Sequence, residues 1–120
     1  MDRDFRIEIK DNETALKEFS EIWKKAERGD LPDRPVERLY FQDLATLLKV
    51  LSPRRLEALT VLHKTGPQSV RALAKRLRRD YKNVHRDIQL LERIGLVARD
   101  REGLATVPWE RIVAEIRLAA

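Results

Sequence analysis

The chain has no cysteine, and among its 120 residues there are only 4 Gly, 5 Pro, 2 His, 2 Trp, 2 Tyr and 3 Phe. Without thiols there is no disulfide framework and no thiolate metal site, and nothing argues for an oxidising compartment. Low Gly and Pro exclude a collagen-like or low-complexity chain. No apolar run approaches the roughly 18 residues that a membrane-spanning helix requires. The opening Met1-Asp2-Arg3-Asp4-Phe5 is charged and carries no signal-peptide core, so the expectation is a cytoplasmic protein, neither exported nor membrane-spanning. With only His63 and His85 as imidazoles, and neither a glycine-rich phosphate loop nor a metal-spaced cluster, no catalytic constellation stands out. His63 falls near a helix end, where the dipole favours it over a role as a base. The chain is therefore expected to be no enzyme and to need no cofactor or metal.

What is present is charge, and its placement. The composition is 42% hydrophobic and 38% charged, enough apolar surface for one domain with short extensions. Residues 1–51 hold 10 basic and 12 acidic side chains, residues 52–101 hold 13 and 5, and residues 102–120 hold 2 and 3, giving nets of −2, +8 and −1. A positive block between near-neutral ends suits phosphate neutralisation, since counterion release rewards clustered Lys and Arg. The competing explanation is a solvated basic face.

Along the chain, Phe5, Ile7 and Ile9 alternate with Arg6, Glu8 and Lys10, the period of a half-buried strand. Asn12 can cap a helix whose apolar positions are Ala15, Leu16, Phe19, Ile22, Trp23 and Ala26, stopped by Gly29. Pro32 and Pro35 mark residues 30–36 as a linker, and Glu37 to Phe41 is too short to assign. A short helix follows over Gln42 to Leu51. Ser52-Pro53 should cap and open a helix to about Lys64, with Leu56, Leu59 and Leu62 inward and Gly66-Pro67 closing it. Ser69 caps a third helix through Val70, Leu73, Ala74 and Leu77. Asp80 can cap a fourth from Tyr81 to Ile94, with Val84, Ile88 and Leu91 on one face and Gly95 at its end. Residues 96–99 and 104–107 form a hairpin with Gly103 in its turn. Pro108 should start a last helix with an apolar stripe of Trp109, Ile112, Val113 and Ile116.

Helix, short helix, longer helix and hairpin within about 55 residues is the order of a winged helix-turn-helix. Ser69-Val70-Arg71-Ala72-Leu73-Ala74, followed by Asn83 through Val97, resembles the MarR-like winged-helix transcription regulators over about 53–107. The fold expected is mainly α with a small β component: an N-terminal strand and helix (1–36), a winged helix-turn-helix DNA-binding domain (37–107) and a C-terminal helix (108–120). On the fourth helix Tyr81, Lys82, Asn83, His85, Arg86 and Gln89 make an outward face of mixed donors and acceptors, suited to base edges and phosphates in a major groove. Ser69, Arg71, Lys75 and Arg79 are placed for the DNA backbone, as are Arg76 and Arg78, and Arg99 and Arg101 lie near the hairpin tip.

The ends carry surface that needs covering. Phe19, Ile22 and Trp23 on one side, and Trp109, Ile112, Val113 and Ile116 on the other, are candidates for a homodimer or partner interface, with intramolecular packing as the equal alternative. Leu51 to Leu56, Arg79 to Asp87 and Val107-Pro108-Trp109-Glu110 also resemble small regulators that form the antitoxin half of toxin-antitoxin pairs, over roughly 40–112. That resemblance implies a repressor of its own promoter and a toxin-facing segment within 4–28. The rival from another class is a protein-interaction module on the same scaffold without specific DNA binding. RNA binding is disfavoured, because only Tyr81 among the few aromatics stands on the basic face.

Overall fold

A computed structural model describes residues 3–9, 17, 20–21, 24, 27–29 and 38–116. Strand β1, Asp4–Ile9, alternates as its sequence suggests, with Phe5 and Ile7 buried and Arg6 exposed between them. The unassigned stretch after the prolines is strand β2, Arg38–Phe41. It runs parallel to β1, with Ile7 opposite Leu39 and Ile9 opposite Phe41. Parallel neighbours need a crossover of a dozen or more residues, commonly a helix. Lys17, Ser20, Glu21, Lys24 and Glu27 are helical and exposed, and a turn follows at Gly29 with φ +84°. The expected cap Asn12, the stripe of Phe19, Ile22 and Trp23 and the linker at 30–36 lie outside the described residues.

Four helices follow, each started by the residue type that helix ends demand. Helix α1, Leu44–Val50, begins where the Asp43 carboxylate accepts the Thr46 amide at 2.7 Å. That backbone bond, first among its causes, lowers the Asp43 pKa. Helix α2, Pro53–Thr65, has Ser52 accepting the Arg55 amide at 3.4 Å and ends at Gly66, φ +85°. Helix α3, Val70–Leu77, has Ser69 accepting the Ala72 amide at 3.1 Å. Helix α4, Tyr81–Arg93, follows a turn of Arg78, Arg79 and Asp80. Asp80 stands at its N-cap but makes no side-chain capping bond.

Ala58, Leu59 and Leu62 of α2, Val70, Leu73 and Ala74 of α3, and Val84, Ile88 and Leu91 of α4 are buried in one core with Leu96 and Val97. Leu56, expected inward, is 42% exposed, and Ala58 takes the inward position. The hairpin consists of β3, Ala98–Arg99, and β4, Ala105–Thr106, antiparallel. Its turn is held by Asp100, whose Oδ1 accepts the amides of Glu102 and Leu104, both at 2.9 Å. Gln68 adds a one-residue bridge on the other side of β4, exchanging backbone bonds with Ala105.

The expected C-terminal helix, 108–120, fails over its described part, 108–116. Arg111–Glu115 is strand β5, not a helix. It pairs parallel with β1, Phe5 opposite Ile112 and Ile7 opposite Ala114, giving the sheet order β2-β1-β5. Trp109, Ile112, Val113 and Ile116 do fit helical spacing, but so short a run cannot fix a period, and Ile112 and Val113 are β-branched. The side of β1 away from β2 offers a complete ladder, and that tertiary pairing outweighs local spacing. The described residues are thus mixed, four helices with a three-stranded parallel sheet and a two-stranded hairpin, a larger β component than the sequence suggests.

Trp109 is not a surface residue either. It is buried, edge-on to Phe5 with centroids 5.0 Å apart, and its Nε1 donates to the Leu96 carbonyl at 3.1 Å. The Arg3 guanidinium covers its ring at 4.7 Å. It therefore takes the intramolecular alternative and joins the sheet to the end of α4. Ile112 is half-buried against the same core and Val113 is half-buried, whereas Ile116 is 52% exposed.

Candidate nucleic-acid interface

With Val84, Ile88 and Leu91 fully buried, the opposite side of α4 must face solvent. At 100° per residue that side is Lys82, Arg86, Gln89 and Arg93, and all four are exposed. No acidic residue falls in the stripe. Arg93 was missed from the sequence, although its spacing of seven from Arg86 was the available signal. Asn83 is exposed on one flank, and His85 is half-buried on the other.

Neighbouring elements extend this surface at both ends of α4. At the N-terminal end, the Arg71 guanidinium of α3 lies 4.9 Å from the centroid of the Tyr81 ring, and that ring is 5.6 Å from the His85 ring. A cation stacked on an aromatic face is held in place without losing its N–H donors. Ser69 is exposed, and its oxygen serves as the α3 cap, so its hydroxyl can still donate. Lys75, Arg76 and Arg78 are exposed on α3 and the turn. Arg78 holds a left-handed conformation, φ 55°, where helix-turn-helix connections often place a glycine.

At the C-terminal end, the Arg99 Nε bonds Glu92 Oε2 at 2.6 Å and its Nη1 bonds the Gly103 carbonyl at 3.2 Å. Arg99 thus ties the hairpin to α4. Arg101, in the turn, is exposed.

Arg79 is the exception among the expected contacts. Its Nη2 bonds Asp87 Oδ2 at 2.8 Å, and its side chain is only 15% exposed. Arg55 bonds the other oxygen of Asp87 at 3.1 Å, and its Nη1 reaches the carbonyls of Lys49 and Val50 at 3.2 and 2.9 Å. One carboxylate thus joins the end of α1, the start of α2, the α3–α4 turn and the middle of α4. Asp87, Glu92 and Asp100 are all engaged within the protein, the first two by arginines and the third by backbone amides of its own turn.

The segment that builds this surface, α2 to β5, is also the one that a family model matches, over residues 50–114. The chain belongs to the HVO_A0114 family. No curated protein and no solved structure matches it. In this HVO_A0114 protein the matched segment includes β5 but not β1 or β2, the strands with which β5 forms a sheet. Of the N-terminal stretch that the antitoxin resemblance assigns to a toxin, β1 is paired on both sides. Among the described residues no helix is long and apolar enough to cross a membrane.

Proposed function

We propose that this protein is a sequence-specific, double-stranded DNA-binding regulator: a winged helix-turn-helix in which α4 enters the major groove and the β3–β4 hairpin is the wing. The observation that carries the proposal is the outward stripe of α4, Lys82, Arg86, Gln89 and Arg93, which is exposed and free of acidic side chains. A helix of this diameter fits the major groove, where a guanidinium reads guanine and an amide reads adenine through paired hydrogen bonds. Arg86, Gln89 and Asn83 are assigned to base edges. Lys82, Arg71, Lys75 and the Ser69 hydroxyl are assigned to phosphates, which fix register without reading sequence. Arg101 reaches the flanking backbone or minor groove from the wing. Arg79 and Arg99 position the elements that make contact. Occupying a promoter is by itself repressive, so repression needs no catalytic residue and no cofactor.

The test is fluorescence anisotropy on the chain's own upstream DNA. Arg86→Ala should lose about 1–3 kcal/mol of specific binding. Lys75→Ala should weaken all duplexes alike and shallow the salt dependence by about one counterion. Equal affinity of the Arg86→Ala variant and the parent for the specific site would overturn the assignment.

A further inference from the structure

Between the last two turns of α2 and the segment that leads from β4 into β5, the described residues line a cavity of about 250 Å³. Leu59, Val107, Trp109 and Ile112 give it an apolar wall. Leu59 and Trp109 are buried in the core, and Val107 and Ile112 are half-buried against it. Two contacts hold this wall in shape without a ligand: the Trp109 Nε1 donates to the Leu96 carbonyl at 3.1 Å, and the His63 Nδ1 stands 3.4 Å from the Val107 carbonyl. A pre-formed, mostly apolar recess with a few polar groups is the usual make-up of a small-molecule site. An apolar cavity of about 150 Å³ holds one benzene, so this one suits a ligand of about ten non-hydrogen atoms.

The charged residues narrow the chemistry. His63, Lys64, Glu110 and Arg111 complete the lining and are exposed. Arg111 is held by Asp4 at 3.1 and 2.7 Å, so that pair is balanced. Among the described residues, neither Lys64 nor Glu110 has an ion-pair partner, and the two do not pair with each other. A cation and an anion thus flank one apolar cavity. Because a carbonyl only accepts, the His63 Nδ1 carries the proton toward Val107, and in the neutral ring Nε2 is left as an acceptor. A ligand bearing a carboxylate alone would meet Lys64 but be opposed by Glu110, and a simple amine would meet the reverse. An α-amino acid carries both charges on one carbon and its side chain on the same carbon. Its charged end can stay beside the exposed Lys64 and Glu110, in reach of water, while its side chain leaves water, so no charge has to be fully desolvated.

We propose that this cavity binds a free α-amino acid with an aliphatic side chain of about the size of leucine. Lys64 holds its carboxylate, Glu110 and the His63 Nε2 hold its ammonium, and its side chain lies against Leu59, Val107, Trp109 and Ile112. None of these residues is assigned to DNA, and binding is measured without DNA, so this proposal and the DNA reading can each fail alone.

The test is isothermal titration calorimetry of the intact protein with leucine and its two singly charged analogues, 4-methylpentanoate and 3-methylbutylamine. Exposed charges act weakly, so leucine should bind at least fivefold, rather than thousands of times, more tightly than either analogue. Lys64→Met should weaken leucine at least fivefold and strengthen 3-methylbutylamine. Glu110→Gln should weaken leucine as much and strengthen 4-methylpentanoate. Both positions are exposed, and circular dichroism checks that each variant folds as the parent does. No saturable binding of leucine at tens of millimolar, an analogue that binds as tightly as leucine, or either variant binding leucine as the parent does would overturn the proposal.

Discussion

Asp87 is the residue on which the helical core most depends electrostatically. It is 13% exposed and receives two arginines that are themselves 22% and 15% exposed, so the three groups are mostly withdrawn from water. Removing the shared carboxylate leaves two cations against each other, a larger penalty than the pairs are worth when intact. Asp87→Ala should cost about 2–3 kcal/mol, less than a fully buried pair because water still reaches the site, read as a lower urea midpoint. An unchanged midpoint would mean that the three side chains are only neighbours. At this scale sequence and structure part in an instructive way. Arg79 and Arg86 look alike in a basic block, and only the path of the chain shows that one faces Asp87 and the other faces solvent. Lys82, Arg86 and Gln89 were readable because Val84, Ile88 and Leu91 fix the opposite face of the helix.

At the scale of elements, the helix starts at Ser52-Pro53 and Ser69 were legible because each cap satisfies local amides and depends on nothing distant. The stop at Gly66 was legible for a similar reason, since its positive φ suits no other residue well. β2 and β5 were not, because four or five residues carry no firm period and both are strands only by virtue of β1. The Gln68 bridge left no sequence signal at all, being a single residue paired with Ala105. The dependence of β5 on β1 has a consequence in acid. The side-chain bond from Arg111 is the main cause that lowers the Asp4 pKa below its usual 3.8, with the charges of Arg111 and Arg6 adding to it against desolvation. A carboxylate with a depressed folded-state pKa contributes stability above its unfolded value, and that contribution is lost as pH falls through the folded one. Asp4→Asn should therefore lower the urea midpoint near neutral pH, and the gap to the parent should close as pH drops below 3.8. A gap of constant size would show that the ionised carboxylate has no part in holding β5.

For the molecule as a whole, the sheet gathers strands from near both ends of the chain, and Trp109 fastens it to the helical core through Phe5 and Leu96. The positive block lies instead on α3, α4 and the hairpin. On the DNA-binding reading, this block reads sequence rather than merely attracting anions. The most direct test is a mobility-shift titration of the intact protein on its own upstream duplex against a random duplex, at two salt concentrations. Affinity for the upstream duplex at least a thousandfold above that for the random one, with both falling as salt rises, is the predicted result. Equal affinity for the two duplexes would contradict it and reduce the surface to a non-specific polyanion site.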